Sequence, residues 1–127
     1  MDSHDKGKRI SILNSFSFAV IGILTAIKNE RNMRFHFISS LIVLFFSFFF
    51  SISKMEWVIV LFLIGGMFAL ELINSAIERV VDLVTTEYHP LAKQAKDMAA
   101  GAVFVYAVLS VIVGLVIFLP YVLKQFS

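Results

Sequence analysis

Glu71-Leu-Ile-Asn74-Ser75-Ala-Ile-Glu78-Arg79-Val-Val-Asp82 is a polar stripe set into a segment otherwise apolar enough to enter a bilayer. At about 100° per residue, Glu71, Asn74, Glu78 and Asp82 share one face of a helix. That face follows directly on the uncharged run from Trp57 to Leu70. Ionisable groups at membrane depth are costly, so they turn to a bundle interior or to water and mark function. The plain alternative is structural pairing with basic residues of neighbouring helices. It suits Asp82 best, with Arg79 and Lys96 as partners, and suits the deeper Glu71 and Glu78 least.

The rest of the chain agrees with a membrane setting. Of 127 residues, 59% are apolar and 14 are phenylalanine, with a mean hydropathy of +0.88. Soluble domains run nearer 45–50% apolar. A net charge of +2 without a basic patch interleaved with aromatics gives no case for nucleic acid. The absence of cysteine excludes disulfides, zinc–thiolate sites and thiol nucleophiles. Lys6, Lys8 and Arg9 precede an uncharged stretch, as in a signal peptide. That stretch runs into Lys28-Asn-Glu30-Arg31 and a further apolar block instead of a small-residue cleavage site, so it is expected to stay.

The expected fold is an all-α integral membrane domain over residues 1–127, with an N-terminal surface helix and three transmembrane helices. Residues 35–53 and 97–122 carry no charge within their cores and are long enough to cross about 30 Å of hydrocarbon. The span 57–84 is less pure, because its second half carries the stripe. Over residues 10–28, Ser11, Asn14, Ser15, Gly22 and Thr25 recur at helical spacing opposite Ile12, Phe16, Val20, Ile23 and Ile27. That pattern suits a helix lying in the interface. Six of the eleven Lys and Arg precede Phe35, and three (Arg79, Lys93, Lys96) lie between the second and third spans. The positive-inside rule therefore puts the N-terminus and the Arg79–Lys96 region in the cytoplasm. Trp57 is then an outer interfacial aromatic. Glu71, about 21 Å further along the helix, reaches the inner edge of the hydrocarbon. Pro90 after Thr85-Thr86-Glu87-Tyr88-His89 marks a break and a new first turn. Ala99-Ala100-Gly101-Ala102 is a small-residue patch, and Gly65-Gly66 reads as packing.

The polar residues gather at one level. Glu30, between the surface helix and the first span, joins the stripe at the cytoplasmic face. Carboxylates from two elements suit Mg2+, which binds through one or two acids plus substrate phosphates and keeps several waters. Lys96 offers a point charge for an anion beside Asp97, and His89 can donate to a phosphate. A carboxylate at the hydrocarbon edge can act as a general base. Each also has a bland reading: Glu30 with Arg31 and Arg34 as a solvated run, His36 and His89 as interfacial anchors. These residues alone support a polyanionic site open to the cytoplasm. A small transporter relaying protons or cations fits them nearly as well.

The string from Glu71 through Asn74-Ser75-Ala76-Ile77-Glu78 to Asp82, then Glu87-Tyr88-His89 and Ala95-Lys96-Asp97, resembles the prokaryotic-type diacylglycerol kinase family over nearly the whole chain. The resemblance implies a lipid kinase: ATP with Mg2+ phosphorylates a lipid alcohol at the cytoplasmic face of a bacterial cell membrane. It implies a homotrimer with active sites shared between subunits. Glu71 would be the general base, Glu30 and Glu78 the metal ligands, and Asn74 a support. Those metal ligands, with Glu87, Tyr88, His89, Lys96 and Asp97, would hold the nucleotide, and Arg34 and His36 would meet the lipid. The chain departs from Gram-negative members at His36, where they carry a carboxylate. It departs again near the N-terminus, where Ser11, with Arg9 close by, stands in place of an arginine. The stretches from Glu30 to His36 and from Lys96 to Gly101 look more like the Gram-positive branch, whose members prefer undecaprenol. Undecaprenol kinase is thus the leading expectation and diacylglycerol kinase, with the same chemistry, the alternative.

Overall fold

Helix propensity, caps and three short breaks partition the chain. The computed structural model describes residues 11–127, in which every regular element is an α-helix. These are α1 (Ile12–Asn29), α2 (Arg31–Phe49), α3 (Lys54–Val84) and α4 (Pro90–Gln125). All four are long and apolar enough to cross a membrane by length and composition. Lys6, Lys8, Arg9 and Ile10 lie outside the described residues.

Each boundary has a local cause. Ser11 caps α1, its hydroxyl accepting from the Asn14 N–H at 3.2 Å. Glu30 is the single extended residue between α1 and α2. The helix of the first span thus begins at Arg31 and ends at Phe49, earlier than the uncharged stretch 35–53. The shift is physical: charged side chains are poor in lipid but good in a helix. After Phe49 the Ile52 N–H bonds the Ser47 carbonyl and the Ser51 N–H bonds that of Phe48. Ser51 takes the left-handed conformation (φ 49°) usually given to glycine in this helix-ending motif. Ser53 and Glu56 then form a reciprocal capping box, at 3.2 and 2.9 Å, so α3 starts at Lys54 rather than at Trp57. Thr85 ends α3, and His89 caps α4 with Pro90 at its first turn, as the sequence indicates.

With 31 residues, α3 is about 46 Å long, well beyond a hydrocarbon core of about 30 Å. It packs most extensively on α4 and also meets α2 and α1. Its two ends are built differently. At the first end, Ile52, Val60 and Ile117 form a buried apolar cluster with Phe50, Trp57 and Tyr121 around it. In the middle, the Tyr106 hydroxyl of α4 donates to the Phe62 carbonyl at 2.7 Å. Gly66 makes room for that ring, because a Cβ there would collide with it. The packing role expected of Gly65-Gly66 therefore falls to Gly66, while Gly65 faces open space. At the other end, the buried residues of α3 are polar: Glu71, Asn74 and Ser75.

The outer faces are strongly apolar, with Phe45, Phe49, Phe62 and Phe104 among many exposed side chains. Covering such surface requires lipid or another protein surface. In α1, the amphipathic asymmetry is the strongest of the four helices. Even so, Phe18, Ile21 and Leu24 are exposed along with Phe16 and Val20, so apolar side chains occur around most of its girth.

Candidate active site

The acid stripe of α3 separates into two constellations. The deeper one is Glu71, Asn74 and Ser75, which sit one turn apart and face inward. Glu71 is 2% exposed, Asn74 6% and Ser75 3%. The Glu71 Oε2, Asn74 Oδ1 and Ser75 Oγ atoms are buried without a hydrogen-bond partner. Each orphaned buried polar group costs about 1–3 kcal/mol, and more when charged. Native proteins seldom keep three together without a ligand, ordered water or function to account for them. Opposite them on α2, His36 Nε2 stands 3.8 Å from Glu71 Oε2. His36 also lies at one end of an apolar groove of about 440 Å³ between α2, α3 and α4. Ser39, Val60, Met67, Val111 and Leu115 are among its walls.

Between the two constellations, Arg79 donates to Glu30 Oε1 at 2.9 Å and to the Ser75 carbonyl at 3.3 Å. This ties the α1–α2 junction to α3 and brings Glu30 to the level of the stripe, as expected. Arg34 donates through Nη1 to the carbonyls of Ile27 (3.3 Å) and Lys28 (2.8 Å), closing the end of α1. Its expected lipid contact is not among these bonds.

The second constellation is a polar cavity of about 240 Å³ where α3 passes into α4. Its walls bring together Glu87, Tyr88, His89, Lys96 and Asp97, the five residues outside the metal pair that the family resemblance assigns to the nucleotide, and they add Asp82 and Lys93. Lys96 bridges to Asp82 across the two helices at 2.6 Å, the pairing anticipated for Asp82. Lys93 pairs with Asp97 one turn along α4. His89 accepts from the Leu91 N–H through Nδ1 at 3.1 Å. In the neutral ring that leaves Nε2 as the N–H donor. Helical spacing puts Lys93 on the same face as Lys96 and Asp97, and all three line the cavity.

Among the described residues no group of three or more His, Asp and Glu side chains gathers at metal-binding spacing. The donor chemistry nevertheless suits a cation that arrives with phosphates. Glu30 and Glu78 are both half-buried, and two carboxylates match what Mg2+ takes from protein when polyphosphate and water complete its shell. Three carboxylates against two lysines in the cavity likewise disfavour a bare polyphosphate and suit one carrying a divalent ion.

The sequence profile of prokaryotic diacylglycerol kinase matches residues 17–118. The chain belongs to that family. It is 51% identical to an undecaprenol kinase of Bacillus subtilis over 121 residues, 94% of this chain and 98% of the other. A diacylglycerol kinase of Synechocystis is 38% identical over 87% of this chain and 63% of its own length. One of Haemophilus influenzae is 35% identical over 74% and 80%. Membership makes the protein a membrane-embedded, ATP-dependent lipid kinase and sets aside the transporter reading of the stripe.

Proposed function

We propose that the protein transfers the γ-phosphoryl group of ATP to the hydroxyl of undecaprenol, giving undecaprenyl phosphate, at the cytoplasmic face of the bacterial cell membrane. The observation that carries the reading is Glu71: a buried carboxylate with an unpartnered oxygen, 3.8 Å from His36, which lines an apolar groove. An alcohol whose chain lies along that groove presents its hydroxyl near His36 and Glu71. Glu71 takes the hydroxyl proton, and the oxygen attacks the γ-phosphorus. The bond from that phosphorus to the β–γ bridging oxygen breaks, and ADP leaves with the electron pair. Asn74 and Ser75, unpartnered beside Glu71, supply polar support for the hydroxyl or the phosphoryl oxygens.

Glu30 and Glu78 would hold Mg2+, which neutralises charge on the polyphosphate. For Glu30 this means exchanging its Arg79 partner for the metal-bearing nucleotide. The α3–α4 cavity binds the rest of the nucleotide through Glu87, Tyr88, His89, Lys96 and Asp97. Asp82 lies about 16 Å along α3 from Glu71. A homotrimer with sites shared between subunits would bring one chain's cavity toward another chain's base. It would also cover apolar faces that are exposed in the single chain. The N-terminus and the cavity lie in the cytoplasm. The asymmetry of α1 supports its lying in the interface, with α2, α3 and α4 as the spans.

The identity to the Bacillus protein favours undecaprenol over diacylglycerol. The test is the purified full chain in mixed micelles with labelled ATP and either alcohol. Undecaprenol should be phosphorylated with the higher kcat/KM. Faster transfer to diacylglycerol would reverse the substrate assignment, and no transfer to any lipid alcohol would overturn the reading.

A further inference from the structure

We propose that His36 is the positioning residue for the Glu71 carboxylate, acting on the reaction through Glu71 and not as a contact to the lipid. The inference rests on the reading of Glu71 as the base. A carboxylate on a flexible side chain must be held to accept a proton along one direction, and misplacement by about 1 Å can cost about 100-fold in rate. One oxygen of Glu71 lacks the usual restraint. Its Oε2 has no hydrogen-bond partner. The two arginines nearest in sequence are engaged elsewhere, Arg79 with Glu30 and the Ser75 carbonyl, Arg34 with the end of α1.

Among the described residues, His36 is the one basic side chain within ion-pair range of Glu71, with Nε2 3.8 Å from Oε2. That separation exceeds a hydrogen bond and is closed by a small rotation or one bridging oxygen. The histidine is itself restrained. Its side chain is 16% exposed, it packs edge-on to Phe35 with ring centroids 5.6 Å apart, and α2 is tied to α3 through the turn at Ser51–Ser53. Its ring therefore offers a fixed N–H toward an otherwise unrestrained buried oxygen. A carboxylate at this position would instead set like charge against Glu71.

The experiment compares four variants of the full chain in undecaprenol micelles: His36→Phe, His36→Gln, Glu71→Gln and the double variant His36→Phe/Glu71→Gln. Kinetics are measured for both substrates, and nucleotide binding reports folding. His36→Phe keeps a ring against Phe35 and removes the N–H. It should lower kcat about 100-fold, with KM for MgATP and for undecaprenol changed less than about threefold. His36→Gln restores an N–H near the Nε2 position and should recover at least about tenfold of that loss. The double variant should be no slower than Glu71→Gln alone, because the histidine works through the glutamate. If Glu71→Gln is inactive while His36→Phe keeps near-normal kcat, the positioning role is wrong and the base assignment stands. A raised KM for undecaprenol with kcat retained makes His36 a lipid contact and also overturns it. An active Glu71→Gln overturns the base assignment, and the proposal with it.

Discussion

Glu71 and Asp82 lie on the same face of the same helix, three turns apart, yet they occupy opposite regimes. Glu71 is 2% exposed and has an oxygen with no partner. Asp82 has a side chain 55% exposed and a lysine 2.6 Å away. Periodicity gives both residues the same face. Depth and partner give them different work. A buried carboxylate with an oxygen that no hydrogen bond satisfies is an unfavourable feature that folding alone would discard, and its presence argues for chemistry. A paired carboxylate at the water boundary is what any polar helix end carries. Between them, half-buried Glu30 and exposed Arg79 form the transition as a pair.

The largest effect that tests this contrast is at Glu71. Glu71→Leu should abolish turnover, by at least about 10³-fold. It should also raise the melting temperature in detergent, because an orphaned buried charge gives way to apolar packing. Both changes are expected in one variant, read by lipid phosphorylation and thermal unfolding. A lower melting temperature would show that Glu71 has stabilising partners and would erase the difference from Asp82.

The next effect concerns the α3–α4 packing that Asp82 shares. Gly66 accepts the Tyr106 ring and so sets how closely α4 rides on α3. Gly66→Val should overpack that contact and cost about 1–3 kcal/mol of stability in detergent unfolding. Since α4 carries Lys93, Lys96 and Asp97, KM for MgATP should rise several-fold more than KM for the lipid. An equal rise in both would mean that the α2–α3 and α3–α4 halves of the site move together.

A smaller, opposite change is expected at the α2–α3 turn, at the far end of α2 from His36. Ser51 occupies the left-handed region that costs an L-residue about 1–2 kcal/mol. Ser51→Gly should therefore stabilise by about 1 kcal/mol in the same unfolding measurement, with kcat unchanged. A loss of kcat there would show that the turn itself tunes the buried acid.

The parts legible in the sequence are those that follow from local rules. Uncharged length pointed to long apolar helices, Pro90 to the start of α4, and helical periodicity to a common face for Glu71, Asn74, Glu78 and Asp82. The start of α3 was also legible, since Ser53-Lys-Met-Glu56 is a capping box. Hydropathy alone points to the later start at Trp57, because Lys54 and Glu56 are charged, whereas the capping box starts the helix at Lys54. The early start of α2 has a similar origin: Arg31 and Arg34 break a hydropathy run but not a helix. Features that depend on distant chain meeting in space were not legible. Nothing local couples Arg79 to Glu30, seats Tyr106 over Gly66, or sets His36 against Glu71, because each pairing depends on how the helices cross. Glu87, Tyr88, His89, Lys96 and Asp97 line one cavity because they lie at and just after one helix-to-helix turn, where sequence proximity and spatial proximity coincide.

The smallest effect closes the comparison at Asp82. Its bridge to Lys96 joins α3 to α4, but both side chains are substantially solvated, and exposed pairs of this kind contribute little in water. Asp82→Asn keeps the size and one acceptor for the lysine while removing the charge. The melting temperature should stay within about 2 °C and kcat within about threefold. Any residual difference should shrink between 0.1 and 1 M salt, as the screening length falls from about 10 to about 3 Å. A salt-independent loss comparable to that of Glu71→Leu would mean that the pair is desolvated in the assembled enzyme. Asp82 would then belong with Glu71, and the division of the stripe by depth would have to be redrawn around the subunit interface instead of the single helix.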